Sequence, residues 1–119
     1  MKVLQTAATL AVWAGMVFAS GCKSHHIDIT VENHTGALLQ QLEIDYPSAS
    51  FGANTMVQDS ILHYRVQLRG SGPVTAQYSL GSGKTVHLSG PTMDEAQDGQ
   101  LKIVLEPEGK AEFLPVLKP

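Results

Sequence analysis

The sequence predicts an all-β protein: a single antiparallel β-sandwich of about seven short strands, preceded by a helical signal segment. Three observations carry this. After residue 26 the apolar residues recur at every second position, the period of a strand with one buried and one solvated face. Clusters of Gly, Pro, Asn and Ser separate those runs. No stretch after residue 22 holds an apolar helical stripe of two turns.

The strands follow in order. Ile27, Ile29 and Val31 alternate with Asp28, Thr30 and Glu32. Leu42, Ile44 and Tyr46 alternate with Glu43 and Asp45. Leu62, Tyr64, Val66 and Leu68 alternate with His63, Arg65, Gln67 and Arg69. Val74, Ala76, Tyr78 and Leu80 alternate with Thr75, Gln77 and Ser79. Val86 and Leu88 alternate with Thr85, His87 and Ser89. Leu101, Ile103 and Leu105 alternate mostly with Lys102 and Glu106, and Phe113 falls in a last strand near 111–116. Turn signals lie at Asn33-His34-Thr35-Gly36, Tyr46-Pro47-Ser48, Gly70-Ser71-Gly72-Pro73, Gly81-Ser82-Gly83, Gly90-Pro91 and Pro107-Glu108-Gly109. The segment 46–55, with Phe51 among small residues, reads as a loop and a candidate contact, with Phe51 either a packed plug, the preferred reading, or an exposed anchor. Thr92 to Ala96 reads as one helical turn capped by Thr92. Pro115 and Pro119 point to an edge strand or a frayed end, because proline cannot donate to a ladder.

One-sided polarity in every strand implies two antiparallel sheets packed face to face. In general build this resembles an immunoglobulin-like or transthyretin-like sandwich, although the Cys, Trp, Cys signature of true immunoglobulin domains is missing from the strands. The division is 1–21 signal segment, 22–26 short tether and 27–119 sandwich. The sandwich holds no tryptophan, since Trp13 lies in the signal, so its core is mainly aliphatic.

The chain has 119 residues and a formal net charge of −3, with Lys and Arg scattered singly. That excludes the basic face a nucleic-acid binder needs to neutralise phosphates. The single cysteine, Cys22, rules out an intramolecular disulfide.

At the N-terminus Lys2 precedes an apolar run from about Ala7 to Ala19, and the small residues Ala19, Ser20 and Gly21 follow. This is the layout of a secretory signal peptide. Cleavage after Ala19 or after Gly21 by an ordinary signal peptidase fits these residues and would leave Cys22 as a free thiol. Ala19-Ser20-Gly21-Cys22 also resembles the bacterial lipobox, with Ala19 where leucine is commonest. The resemblance implies a diacylglyceryl group on the Cys22 thiol, cleavage before Cys22 and acylation of the new amine. Two or three acyl chains hold a protein firmly, where one gives only marginal binding. Lys23, where an Asp would favour inner-membrane retention, is similar to the class sorted to the outer membrane. The location implied is the bacterial cell envelope, lipid-anchored.

Several constellations invite chemistry. Gly81-Ser82-Gly83-Lys84-Thr85 looks like the end of a phosphate-binding loop, but the first glycine of that motif is replaced by Tyr78 and an alternating strand follows instead of a helix. His25, His26 and His34 are the side chains a zinc or copper ion would use, yet adjacent histidines on a tether have no fixed geometry, and no metal site is assigned. Asp59, Ser60 and His63 are near in sequence without the G-x-S-x-G elbow of a nucleophile, and Asp59-Ser60 reads as turn chemistry. Asp94, Glu95 and Asp98 read as a solvated acidic loop. For partner binding the residues singled out are Phe51, Arg65 and Arg69: the two arginines either pair with Glu43 and Asp45 across strands or form an exposed basic stripe.

The function these readings imply is that of a non-catalytic, membrane-anchored envelope lipoprotein. It has no cofactor and binds membrane lipid through acylated Cys22. It meets an envelope protein or a glycan as an accessory module. A copper- or zinc-binding lipoprotein and an inhibitor or immunity-type lipoprotein are the alternatives.

Overall fold

A computed structural model describes residues 25–118. The signal segment and the tether residues Cys22, Lys23 and Ser24 lie outside the described residues. Eight strands follow one another: β1 (Ile27–Asn33), β2 (Leu39–Tyr46), β3 (Ala49–Met56), β4 (Ile61–Val66), β5 (Gly72–Ser79), β6 (Thr85–Met93), β7 (Asp98–Glu106) and β8 (Lys110–Lys118), the last two joined by a 3₁₀ turn at Pro107–Gly109. They form two four-stranded sheets, ordered β4-β1-β7-β8 and β3-β2-β5-β6. Their inward faces bury one shared apolar core, as in a β-sandwich.

Two features differ from the reading of about seven antiparallel strands. The additional strand is β3, which occupies the segment read as a loop and pairs antiparallel with β2, with Ile44 opposite Phe51 and Glu43 opposite Gly52. The second is that β1 and β7 run parallel, with Ile27 beside Gly99 and Asn33 beside Leu105. Parallel neighbours need a long crossover, and here the chain passes through the second sheet between them. Every other strand pair is antiparallel.

The core is built by the central strands. β1 contributes Ile27, Ile29 and Val31, and β7 contributes Leu101, Ile103 and Leu105. Leu39, Leu42 and Ile44 of β2 face them with Val74, Ala76 and Tyr78 of β5. Fully burying each large aliphatic chain stabilises the fold by about 1.5–3 kcal/mol, and the alternation is cleanest in β1, β5 and β7.

Two bulges interrupt the alternation. Between Gln40 and Glu43, β2 holds one residue more than its partner β5 does between Ser79 and Gln77, and Gln41 takes a φ of 51°. Leu39 and Leu42, three apart, therefore both face inward. The second bulge lies in β6 opposite Pro73–Thr75. Gly90-Pro91, read as a turn, sits inside β6 at that bulge, and β6 runs on to the buried Met93. The helical turn expected at 92–96 is instead the end of β6 and a turn closed by Gln97 N–H donating to the Asp94 carbonyl.

At one end of the sandwich Asn33 is the buried polar residue of the described chain. Its Nδ2 donates to the carbonyls of Ala37, Met56 and Val57, and its Oδ1 accepts from the Thr35 amide and hydroxyl. It thereby fastens the β1–β2 loop to the end of β3.

Candidate functional site

The end of the sandwich where β1 begins carries the histidine pair. Because β1 and β7 are parallel neighbours, their first residues lie side by side. His25 Nδ1 sits 2.6 Å from Asp98 Oδ2, and the His26 amide donates to Asp98 Oδ1 at 3.0 Å. The His25 hydrogen bond and then that of the His26 amide hold the Asp98 carboxyl below its ordinary range. His34 lies at the opposite end of β1, where its Nε2 is 3.1 Å from Glu32 Oε1, and Lys102 Nζ is 3.2 Å from Glu32 Oε2. At ~3.3 Å per residue the seven residues of β1 separate His25 and His26 from His34 by roughly 23 Å. One ion cannot take all three. Among the described residues no three His, Cys, Asp or Glu side chains are grouped to hold a metal.

The two arginines part company. β4 ends at Val66, so His63, Arg65, Gln67 and Arg69 do not share one strand. Arg65 stands opposite Asp28 of β1 and donates through Nε to Asp28 Oδ1 at 3.1 Å, with His63 Nε2 at 3.5 Å from the same oxygen. The Arg65 hydrogen bond lowers the Asp28 carboxyl, and Asp28 in turn raises the guanidinium. Glu43 and Asp45 belong to the other sheet, which is why neither arginine pairs with them. Arg69 is exposed in the β4–β5 loop.

Phe51 is buried, with 8% exposure, from a strand rather than as a loop plug. Its ring stacks on Tyr64 of β4, with centroids 4.3 Å apart and planes at 15°, and Tyr46 tilts against it at 6.2 Å. Phe51 and Tyr64 come from the edge strands of opposite sheets, so the stack closes one open side of the sandwich. Tyr64 remains 42% exposed. Its inward place was legible in the Leu62, Tyr64, Val66 alternation; its position at an edge was not.

On the outer face beside this stack, Glu43 and Asp45 lie two apart on β2. The Asp45 side chain pushes the Glu43 carboxyl up, first through a shared hydrogen bond and then through like charge. Across β3 these carboxylates meet only Gly52 and Ser50. A shallow groove of about 460 Å³ runs here, lined by residues 41–43 and 50–54. A side chain at Gly52 would strike the Leu42 carbonyl, so the groove floor is backbone.

The other constellations are structural. Gly81–Lys84 is the β5–β6 hairpin: Leu80 N–H donates to the Lys84 carbonyl at 2.8 Å, Gly83 has a φ of 91°, and a strand follows. Ser60 Oγ donates to the Val57 carbonyl while His63 turns to Asp28, so the two serve separate contacts. Asp94 accepts from Ser71 and the Ala96 amide, and Glu95 accepts from the Gly70 amide, so these carboxylates tie loops together. No helix among the described residues is long and apolar enough to cross a membrane.

No family model matches the chain, and no curated protein matches it. Among solved structures it is similar to an NMR structure of a protein from Eubacterium rectale. The two share 12% identity over 80% of this chain and 90% of that one, with a TM-score of 0.49, a likeness too distant to bear on fold or function.

Proposed function

We propose that this protein is a non-catalytic accessory module of the bacterial cell envelope, anchored by lipid at Cys22 and binding a protein partner through its sandwich. The observation that carries the reading is the spacing between anchor and fold. Cys22 stands in the lipobox-like Ala19-Ser20-Gly21-Cys22, and the folded domain is already engaged at His25, through Asp98. Three residues span at most roughly 11 Å, so an acylated Cys22 holds the β1 end of the sandwich against the bilayer. The loops at the Asn33 end and the long sheet edges then face outward, where a partner can reach them.

Of the two sandwich types resembled, eight strands in two sheets of four depart from the seven-stranded immunoglobulin constant pattern of four and three. The strand order thus supports the transthyretin-like alternative. Outer-membrane sorting is the destination that Lys23 favours. The wide separation of His34 from His25 and His26 weighs against the copper or zinc reading.

Two experiments test the proposal. Labelling cells with a palmitate analogue marks the wild-type chain and leaves Cys22→Ala unmarked; label on both, or on neither, removes the anchor. In-cell crosslinking of the anchored chain with mass spectrometry of the adducts recovers one reproducible protein partner; recovery of only abundant neighbours overturns the module.

A further inference from the structure

Four strands form the edges of the two sheets: β4, β8, β3 and β6. An exposed edge presents unpaired N–H and C=O groups to any passing chain, and natural sheets blunt their edges with charge, proline, bulges or brevity. Three of the four follow that rule. β4 is six residues long and carries His63 and Arg65; β6 has Pro91 and a bulge; β8 has Lys110, Glu112, Pro115 and Lys118. β3 does not. Its eight residues, Ala49 to Met56, include no charge and no proline. Its ladder with β2 keeps one offset from Leu39–Met56 to Tyr46–Ala49, broken only at Gln41–Asn54, and among the described residues it pairs with β2 alone.

We infer that the open edge of β3 accepts an extended segment of a protein partner, one that alternates basic and apolar residues. The surroundings of the edge select that chemistry. In an added strand, alternate side chains point to the two faces. Those on the outer face lie beyond Ser50, Gly52 and Asn54. A Lys or Arg there reaches over the bare Gly52 and the small Ser50 to Glu43 and Asp45, for which no ion pair is found among the described residues. Those on the inner face lie against the Phe51–Tyr64 stack, where Tyr64 is 42% exposed. Strand addition uses main-chain hydrogen bonds for affinity and alternate side-chain sites for specificity, and both are present. A second copy fits less well, because β3 against β3 brings two acidic pairs and no cation.

This rests on the accessory-module reading and names its contact surface. The test uses the full chain, purified from membranes in detergent, and two synthetic eight-residue probes, one alternating valine with lysine and one alternating valine with glutamate. The lysine probe binds saturably and protects β3 amides from hydrogen exchange, and the glutamate probe binds at least tenfold more weakly. The double variant Glu43→Gln/Asp45→Asn, both positions on the outer face, keeps the fold by circular dichroism and binds the lysine probe about 3- to 10-fold more weakly. Ser50→Lys, which supplies the cation from within the chain, has the same effect. Equal affinity for both probes, no saturable binding, protection elsewhere than β3, or β3 protection that comes only from self-association each overturns the inference. The failures are separable. A partner crosslinked in cells through another face leaves the module standing and removes the β3 edge, whereas the probe titration reads the edge even where no cellular partner is captured.

Discussion

Replacing Asn33 with alanine removes the side chain that joins three segments at one end of the sandwich. The amide makes five hydrogen bonds of 2.7–3.1 Å, to Ala37, Met56, Val57 and twice to Thr35. Only the bond to the Met56 carbonyl is wholly buried. Losing that one partner costs about 1–3 kcal/mol. Water can reach the part-buried partners, so each of those adds about 0.5 kcal/mol at the low end of a net hydrogen bond. The expected loss is about 3–5 kcal/mol, a large share of the ~5–15 kcal/mol that stabilises a domain. At ~4–8 °C per kcal/mol for a domain of this size, the melting temperature drops by roughly 12–40 °C. Thermal melts followed by far-UV circular dichroism measure it. Asn33→Asp sharpens the test because it keeps shape and volume but replaces the donor by an anion facing three carbonyls. At pH 7 it is at least as damaging as alanine. The introduced carboxyl has a folded pKa above its unfolded one, so the folded state binds more protons and the variant gains stability as pH falls. A drop under about 4 °C for Asn33→Ala, or an aspartate variant as stable as wild type at pH 7, refutes the argument that donor satisfaction rather than packing fixes this corner.

Three further outcomes follow from the same geometry. Gly90→Ala places a methyl group 2.5 Å from Cδ2 of Phe113; urea unfolding should show a loss of about 1–3 kcal/mol from overpacking, partly recovered by Phe113→Leu in the same chain. The Asp28 and Asp98 carboxyls sit below their ordinary 3.8. Their contribution is therefore present above that pH and lost as pH falls below it, and an acid titration of stability is flatter there in Asp28→Asn and Asp98→Asn. Glu43 has the opposite sign: raised above its ordinary 4.5 by Asp45, it weakens the fold as pH rises through its folded pKa, so Glu43→Gln melts higher than wild type at pH 7 and equally at pH 3.

How much of this could be read from residue order depends on whether each strand keeps its period. β1, β5 and β7 do, with inward Ile, Val, Leu, Ala and Tyr at every second position, and each was legible to within a few residues. The beginning of β2 was hidden because the bulge at Gln41 turns both Leu39 and Leu42 inward, a spacing of three that belongs to no strand template. β3 was hidden for another reason. Its inward positions are Phe51, Ala53 and Met56, and the rest are small or polar residues, so its composition reads as a loop. The freedom from charge that makes it an open edge was in plain view, but that it lies at an edge depends on strand order. Gly90-Pro91 misled in the other direction, since a bulge and a turn use the same residues.

Side-chain partners were less legible than strands, and the reason is topological. Arg65 meets Asp28 rather than Glu43 because the chain changes sheets between β3 and β4, and nothing in the loop residues 57–60 specifies which sheet receives β4. The His25–Asp98 contact spans 73 positions and exists only because β1 and β7 run parallel, which sets their first residues side by side. In an antiparallel arrangement the start of β1 would face the end of β7, where Leu105 and Glu106 stand, and Asp98 would lie at the far end of the strand. The direction of one central strand thus decides what anchors the chain as it enters the fold, and that direction is set by the passage through the second sheet, not by any residue near His25.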